Sequence, residues 1–540
     1  MPEDTHEPTP RQPRRGDLII PPDDPHDNAS PRKKRARLPS IKPVGFIAKL
    51  CILLIIISTF TAMFQSDVLW TKYDSVERSP SQSMDSWTEA WSIQNIRAHD
   101  PLSTSSYFWE QTIPLPTTTT HRGINLLLHI IAAFLLLKCL EALKAPAAFA
   151  ATLVFATHPT VLQPLFWPGY RTEFIGLVLI LIALLTGIRN RGIAGYSIVL
   201  FFSTFASIIH PAAMAIPVIM IFIIIAQNKT LHFHTFNRVL PLICIALFVG
   251  AWTQNSLGTT GTIETAEAGK TLNTYGENMF FYLKQSLFPL DVALFHPAGS
   301  TEGFKIGAGF SLLPFLLFIP FYILAAVNFR KTWARAGLLG ISAFLLLSLA
   351  GASETGKFID GGNAHENRGL YIALPAIVAL LSCGIGEVMR HLGAAGKILW
   401  IMGFSLFMLI QLSITSTFAY TVGQPAQMWQ AMLEQWQDSW VPKAAFIETI
   451  QATDSDLITE TEKIDMLIAI LSVKPKFIEE RKLLARAYRE AGQNNNAVRE
   501  YKRILREAKP NNEFLEEAAR LYDKVGLSWD ARNARERIKN

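Results

Sequence analysis

Long apolar runs constrain this chain more than any other feature it contains. An α-helix rises about 1.5 Å per residue, so about twenty apolar residues cross the roughly 30 Å hydrocarbon core of a bilayer, where every backbone N–H and C=O is bonded inside the segment. Runs of this kind fall near residues 44–64, 123–143, 146–166, 172–188, 193–209, 212–226, 238–256, 306–328, 336–352, 369–388 and 397–420. They predict an all-α fold class, a polytopic membrane protein of about 11 transmembrane helices. Charge is distributed to match. Of the 540 residues, 50 are Lys or Arg and 44 are Asp or Glu, 17% of the chain against about 25% in a soluble protein. Residues 1–43 hold 16 of these charges and residues 461–540 hold 31, which leaves about 11% across the stretch between. Such a middle is built for lipid and argues against a soluble enzyme.

Three zones follow. Residues 1–43 are rich in Pro, Asp and Arg and poor in aromatics, so they read as a disordered basic cytoplasmic tail that cannot bury enough surface to fold. Arg32, Lys33, Lys34, Arg35 and Arg37 stand beside the first apolar run. That is a topology signal, and the net charge of +6 does not imply nucleic acid. The run from Val44 to Phe64 begins far from the N-terminus, is long enough to span, and lacks a small-residue cleavage site, so it reads as an uncleaved first span. Residues 44–420 form the polytopic domain. With the tail inside, the inner loops carry Lys138 and Lys144, Arg189 and Arg191, Lys229 and Arg238, Arg330, Lys331 and Arg335, and Arg390 and Lys397, so that alternate loops are basic. An odd number of spans puts residues 421–540 on the outer face. The expected location is the cytoplasmic (inner) membrane, with the N-terminus in the cytoplasm and the C-terminal domain in the periplasm. Outer loops 65–122 and 257–305 are long, and an amphipathic stretch at Tyr275–Leu290 reads as lying along the interface. Cys51, Cys139, Cys244 and Cys383 sit in apolar runs at no paired spacing, which indicates neither disulfides nor a metal site.

After residue 460 the pattern changes to alternating charge with helical periodicity, repeating at an offset of 34. Leu467 matches Tyr501, Leu471 matches Leu505, Tyr488 matches Tyr522, Gly492 matches Gly526 and Ala497 matches Ala531. Pro475 and Pro510 close helices. This is the tetratricopeptide (TPR) period, two helices per unit, and the short array predicts docking on the membrane domain.

No P-loop, dinucleotide fingerprint, zinc signature or nucleophile elbow occurs in a credible context, so no metal or cofactor is expected. What remains is polar residues at the outer ends of spans, where ionisable groups face a cavity or a partner. His158 to Glu173 joins the third and fourth spans, and Arg171 beneath Trp167 could hold a phosphate through paired donors, or the pair could be an interfacial anchor. His365 to Pro375 enters the tenth span, where Arg368 could pair with Glu366 or with a phosphate, or simply cap a helix. The first outer loop carries the acids Asp67, Asp74, Glu77, Asp85, Glu89, Asp100 and Glu110, any of which near the membrane could serve as a general base.

In this order the segments resemble the transmembrane-and-TPR-containing protein O-mannosyltransferases and their bacterial relatives, of the GT-C class. The resemblance is carried by His121-Arg122-Gly123-Ile124-Asn125-Leu126-Leu127-Leu128-His129, by the spacing of His158-Pro159, Trp167 and Arg171, and by Tyr282 to Leu290. Glu366-Asn367-Arg368-Gly369-Leu370-Tyr371 and the trailing repeats complete it. It implies a GT-C-like fold and transfer of a sugar from a polyprenyl-phosphate donor to a hydroxyl acceptor, a protein presented by the TPRs, on the outer face. Asp74 is then the catalytic base, while Arg171, Arg368, Glu366, His158 and Trp167 bind the donor phosphate or substrate. Three positions depart from the family pattern. Ser75 replaces the second of two adjacent acids, Gln163 replaces a Glu, and Ile209-His210-Pro211 stands where relatives often carry Ser-Lys-Glu. The alternative reading is a non-enzymatic TPR scaffold for an envelope complex on a degenerate form of the same fold.

Overall fold

The computed structural model describes residues 44–65, 87–92, 101–167, 170–190, 192–228, 233–256, 265–290, 293, 296, 312–352, 367–391, 393–453, 457–508 and 510–539. The tail 1–43, Asp74, Ser75 and Glu366 lie outside the described residues. Among the described residues the chain is all-α, with no strand.

The apolar region begins with α1 (Phe46–Phe60, prolonged by a 3₁₀ turn to Phe64), α2 (Pro101–Glu110), α3 (Thr117–Ala142), α4 (Ala148–Ala156), α5 (Leu162–Phe166), α6 (Arg171–Arg189) and α7 (Ile193–Ile209). It continues through α8 (Ile216–Asn228), α9 (Phe233–Ser256), α10 (Thr265–Leu287), α11 (Leu313–Leu316), α12 (Ile319–Val327), α13 (Thr332–Ala352), α14 (Arg368–His391) and α15 (Gly393–Val422). Among the described residues six segments are long and apolar enough to cross a bilayer: α1 with its 3₁₀ turn, α3, α6, α13, α14 and α15. A seventh results if α4 and α5, bent by 46° at the break between them, form one span. Four apolar stretches are shorter: Ile193–Ile209, Pro211–Gln227, Val239–Trp252 and Leu313–Val327.

Helix α15 shows why these helices suit lipid. Its Ile398, Leu399, Ile401, Met402, Leu406 and Leu409 are each at least 60% exposed, an apolar surface that water disfavours and hydrocarbon accepts. Where helices face one another, the packing is tight. Helix α13 runs along α14, and α6 packs on both α3 and α7. A Cβ added at Gly340 of α13 would stand 3.0 Å from Leu380 of α14, so the missing side chain is what lets the two backbones approach. Helix α10 contains most of the amphipathic stretch expected along the interface. It buries Met279, Phe281, Tyr282 and Gln285, and it packs on α13 and α14. Its apolar face is therefore covered by protein.

Two helices follow the membrane-type region, α16 (Pro425–Gln435) and α17 (Trp440–Ala452). Their Met428, Trp429, Met432, Val441 and Phe446 share a core with Phe166, Trp167 and Tyr170 from the turn between α5 and α6. Then come α18 (Glu460–Val473), α19 (Ile478–Glu490), α20 (Asn494–Glu507), α21 (Asn512–Lys524) and α22 (Ser528–Lys539). Helices α18, α20 and α22 start 34 residues apart, as do α19 and α21. Helix α18 opens with a capping box in which Thr459 and Glu462 bond reciprocally, and these bonds hold the Glu462 carboxyl below its usual range. Helices α19 and α21 end alike. Gly492 and Gly526 take φ of +73° and +83°, which an L side chain resists, and the next residues donate back, Gln493 N to Tyr488 O and Leu527 N to Tyr522 O, both at 2.8 Å. Leu467 and Tyr501 are equally buried at their matched positions, as are Ala497 and Ala531. Tyr488 and Tyr522 are not equivalent. Tyr522 is 1% exposed inside one core, whereas Tyr488 is only half-buried at the seam between two.

Candidate functional site

Arg171 is the first residue of α6, so its charge faces the positive end of the helix dipole and needs compensation. The compensation comes from α2 and α3. Its guanidinium donates to Glu110 Oε1 in a short ion pair, to Ser106 Oγ at 2.8 Å, to Asn125 Oδ1 at 3.0 Å and to the His121 carbonyl at 3.4 Å. The Tyr107 ring lies 4.6 Å beneath it. The second Glu110 oxygen pairs with His121 Nδ1. Arg171 and both partners of this chain are buried, so the charge is balanced out of water by fixed neighbours. As a phosphate ligand, Arg171 is thus already occupied by a carboxylate. In the sequence Glu110 is only one of seven outer-loop acids. Its sole local distinction is a place on a helix beside Tyr107 and Trp109.

A second polar group surrounds the break between α4 and α5. Pro159 has no N–H, and the chain leaves the helix at His158. In an unbroken helix the carbonyls of Val154, Ala156 and Thr157 would accept from the amides four residues on. Those amides turn elsewhere: His158 N to Phe155 O, Thr160 N to His158 Nδ1 and Val161 N to His158 O. Each freed carbonyl is met by a side chain from another helix. Gln411 Nε2 reaches Val154 O at 2.8 Å, His129 Nε2 reaches Ala156 O at 3.0 Å, and Thr415 Oγ1 reaches Thr157 O at 2.8 Å. Because a carbonyl only accepts, His129 carries its hydrogen on Nε2, and its neutral ring receives the Tyr371 hydroxyl on Nδ1 at 3.0 Å. Just past the break, Gln163 Oε1 accepts from the backbone N–H of Asn367 at 2.5 Å. Segments 121–129, 154–171 and 367–371 are thereby joined.

His158 and His210 share one local device. Each precedes a proline, and its Nδ1 accepts from the amide two residues on, Thr160 at 3.4 Å and Ala212 at 3.0 Å. His210 therefore presents Nε2–H outward, and this atom lies 2.7 Å from Glu173 Oε2. Both side chains are buried, and a Cβ at Gly176 would come within 2.9 Å of His210 Cβ, so glycine makes room for the ring. His210 stands in the tripeptide that breaks the family pattern, and its partner Glu173 closes the Arg171 segment.

Trp167 is 1% exposed within the core shared with α16 and α17, so it is a docking residue rather than an anchor in the aromatic belt. Its carbonyl accepts from Asn125 Nδ2 at 3.4 Å. Arg368 is the first residue of α14. Of the site residues read from the sequence, Arg171, His158 and Trp167 lie within the described residues, and Asp74 and Glu366 lie outside them. Among the described residues no three His, Cys, Asp or Glu side chains group so as to hold a metal ion. No protein-family model matches this sequence, and no curated protein is significantly similar to it.

Proposed function

We propose that the chain is a membrane glycosyltransferase of the GT-C type, moving a sugar from a polyprenyl-phosphate donor to a hydroxyl acceptor, a protein, on the outer face. The observation that carries this reading is the meeting of three motif segments distant in sequence, through the contacts of Arg171 with His121, His129 with Tyr371, and Gln163 with Asn367. In the reaction the acceptor oxygen bonds to the anomeric carbon as the bond from that carbon to the lipid phosphate breaks. Asp74 takes the acceptor proton. Arg368 and Arg171 meet the charge that develops on the departing phosphate, where fixed cations in a dry site act most strongly, and Glu366 belongs to the same substrate-binding segment. Arg171 reaches that phosphate by exchanging Glu110 for it, while His158 and Trp167 shape the floor of the site.

The same reading takes the bundle as eleven spans, for which the six long helices, the bent pair and the four shorter apolar helices supply segments. It takes α18–α22 as a short TPR array that presents the acceptor in the periplasm, a reading supported by the 34-residue offset of helix starts. The scaffold alternative has its own support, since Arg171 is satisfied wholly by protein groups.

Mass spectrometry of envelope glycoproteins from cells with and without the gene tests the proposal, together with a reporter fused at Asn540. Asp74→Asn and Arg368→Ala should each cut transfer by about 10²–10⁴-fold in protein that still folds and inserts. Unchanged glycoproteins alongside a lost envelope assembly would favour the scaffold. A reporter active only in the cytoplasm would overturn both the topology and the presenting role of the repeats.

A further inference from the structure

All three carbonyls freed by the break between α4 and α5 have partners on other helices. Atoms of the two amide side chains just beyond it are not satisfied in this way. Gln163 Nε2, Asn367 Nδ2 and Asn367 Oδ1 are buried and have no hydrogen-bond partner among the described residues, and each residue is only 1% exposed. Orphaned polar atoms in an apolar interior are destabilising, typically by a few kcal/mol each, so natural interiors keep them for a reason. These three atoms also belong together, because the Asn367 N–H donates to Gln163 Oε1 at 2.5 Å.

We infer that Gln163 and Asn367 form a neutral subsite that binds the hydroxyl groups of a sugar ring. The inference rests on the transferase reading and names the part of the donor that this site holds. The chemistry comes from the donor and acceptor inventory. The two NH₂ groups offer four N–H donors, and Asn367 Oδ1 offers an acceptor. A phosphate has only acceptors, so it would satisfy the donors while setting an anion against Oδ1. Adjacent sugar hydroxyls both donate and accept, so they match the three atoms in kind, donors and acceptor alike. Neutrality fits as well, since a sugar carries no charge for the site to balance. Asn367 immediately precedes Arg368, the proposed phosphate ligand, as a sugar joined to that phosphate requires.

The test uses the full chain in nanodiscs free of glycosidic detergent, with three ten-carbon isoprenyl probes: the phosphate, the phosphate-linked hexose and the hexoside without phosphate. Binding is measured for the natural protein and for Gln163→Met, Gln163→Glu and Asn367→Leu. Gln163→Glu keeps an oxygen for Asn367 N and replaces the NH₂ donor by a carboxyl oxygen, so it covers the case in which Gln163→Met misfolds, and because it adds a charge it is read on the phosphate-free hexoside. The expected result is that each variant loses about tenfold in affinity for the hexoside, and that Gln163→Met and Asn367→Leu also lose it for the phosphate-linked hexose while binding the isoprenyl phosphate as before. Equal hexose binding by the natural protein and the variants would mean that the amides hold only water, and the inference falls. It falls equally if no hexose probe binds the natural protein. Hexoside binding that depends on the amides, in a protein with no transfer activity, overturns the transferase reading and leaves the subsite standing.

Discussion

Replacing Arg171 with methionine should unfold more than the site. The substitution keeps the apolar stem and deletes the guanidinium, leaving Glu110, itself 5% exposed, with only His121 as a partner. Breaking a buried ion pair by removing one partner costs about 3–5 kcal/mol, because the remaining charge stays out of water uncompensated. Ser106, Asn125 and the His121 carbonyl also lose a donor, and they are the contacts that tie α2 and α3 to α6. Removing both charges is different. In Glu110→Gln with Arg171→Met no charge is stranded, and replacing a whole buried pair by neutral groups is often close to neutral. The double variant should therefore recover about 2 kcal/mol or more of what the single one loses, a coupling within the range seen for residues in direct contact. Thermal unfolding of all four proteins in one detergent measures the cycle. Strictly additive effects, or an Arg171→Met protein as stable as the parent, would refute the view that Glu110 and Arg171 form a buried ionic latch between the outer helix and the bundle.

Three further outcomes are expected. Gln411→Leu and Thr415→Val each strand a buried carbonyl at the α4–α5 break, so each should destabilise by about 1–3 kcal/mol, with slower amide exchange protection lost first around residues 154–157. Tyr501→Ala should cost about 3–5 kcal/mol and expose α18–α22 to protease, while Tyr488→Ala, at a half-buried position, should cost clearly less; equal losses would contradict the two-core arrangement. Burial pushes the Tyr501 and Tyr522 hydroxyls above the usual tyrosine range. An unfolded tyrosine ionises near pH 10, so the stability these groups contribute is complete below that pH and is lost as pH rises through the higher folded values. Circular dichroism of the repeat helices should show a loss in alkali, and Tyr501→Phe should move that transition upward.

The features legible in the sequence are those fixed within a turn or a repeat. A 34-residue period announces where α18 to α22 begin, and it announces the turns at Gly492 and Gly526, because each depends on a glycine and a helix end next to it. Apolar runs likewise announce the long helices. The pairing of Tyr488 with Tyr522 failed because a repeat fixes register but not burial: the seam between two cores is set by which helices stack, and α17 packing on α18 at the start of the array has no counterpart at its end.

The site was less legible for a reason that belongs to membranes. A helix in lipid bonds its own backbone, so a break such as that at His158-Pro159 reads only as a proline signal, while its cost falls on residues far away. The groups that meet it, Gln411 and Thr415, stand more than 250 positions on in a helix that otherwise reads as lipid-facing, and His129 stands 27 positions before. Polar residues within apolar spans are thus first to be weighed as partners for a broken backbone, and only those left over as ligand groups. By that order His129, Gln411 and Thr415 serve the broken backbone, Arg171 is held by Glu110 until a phosphate exchanges for it, and the NH₂ groups of Gln163 and Asn367 are left over.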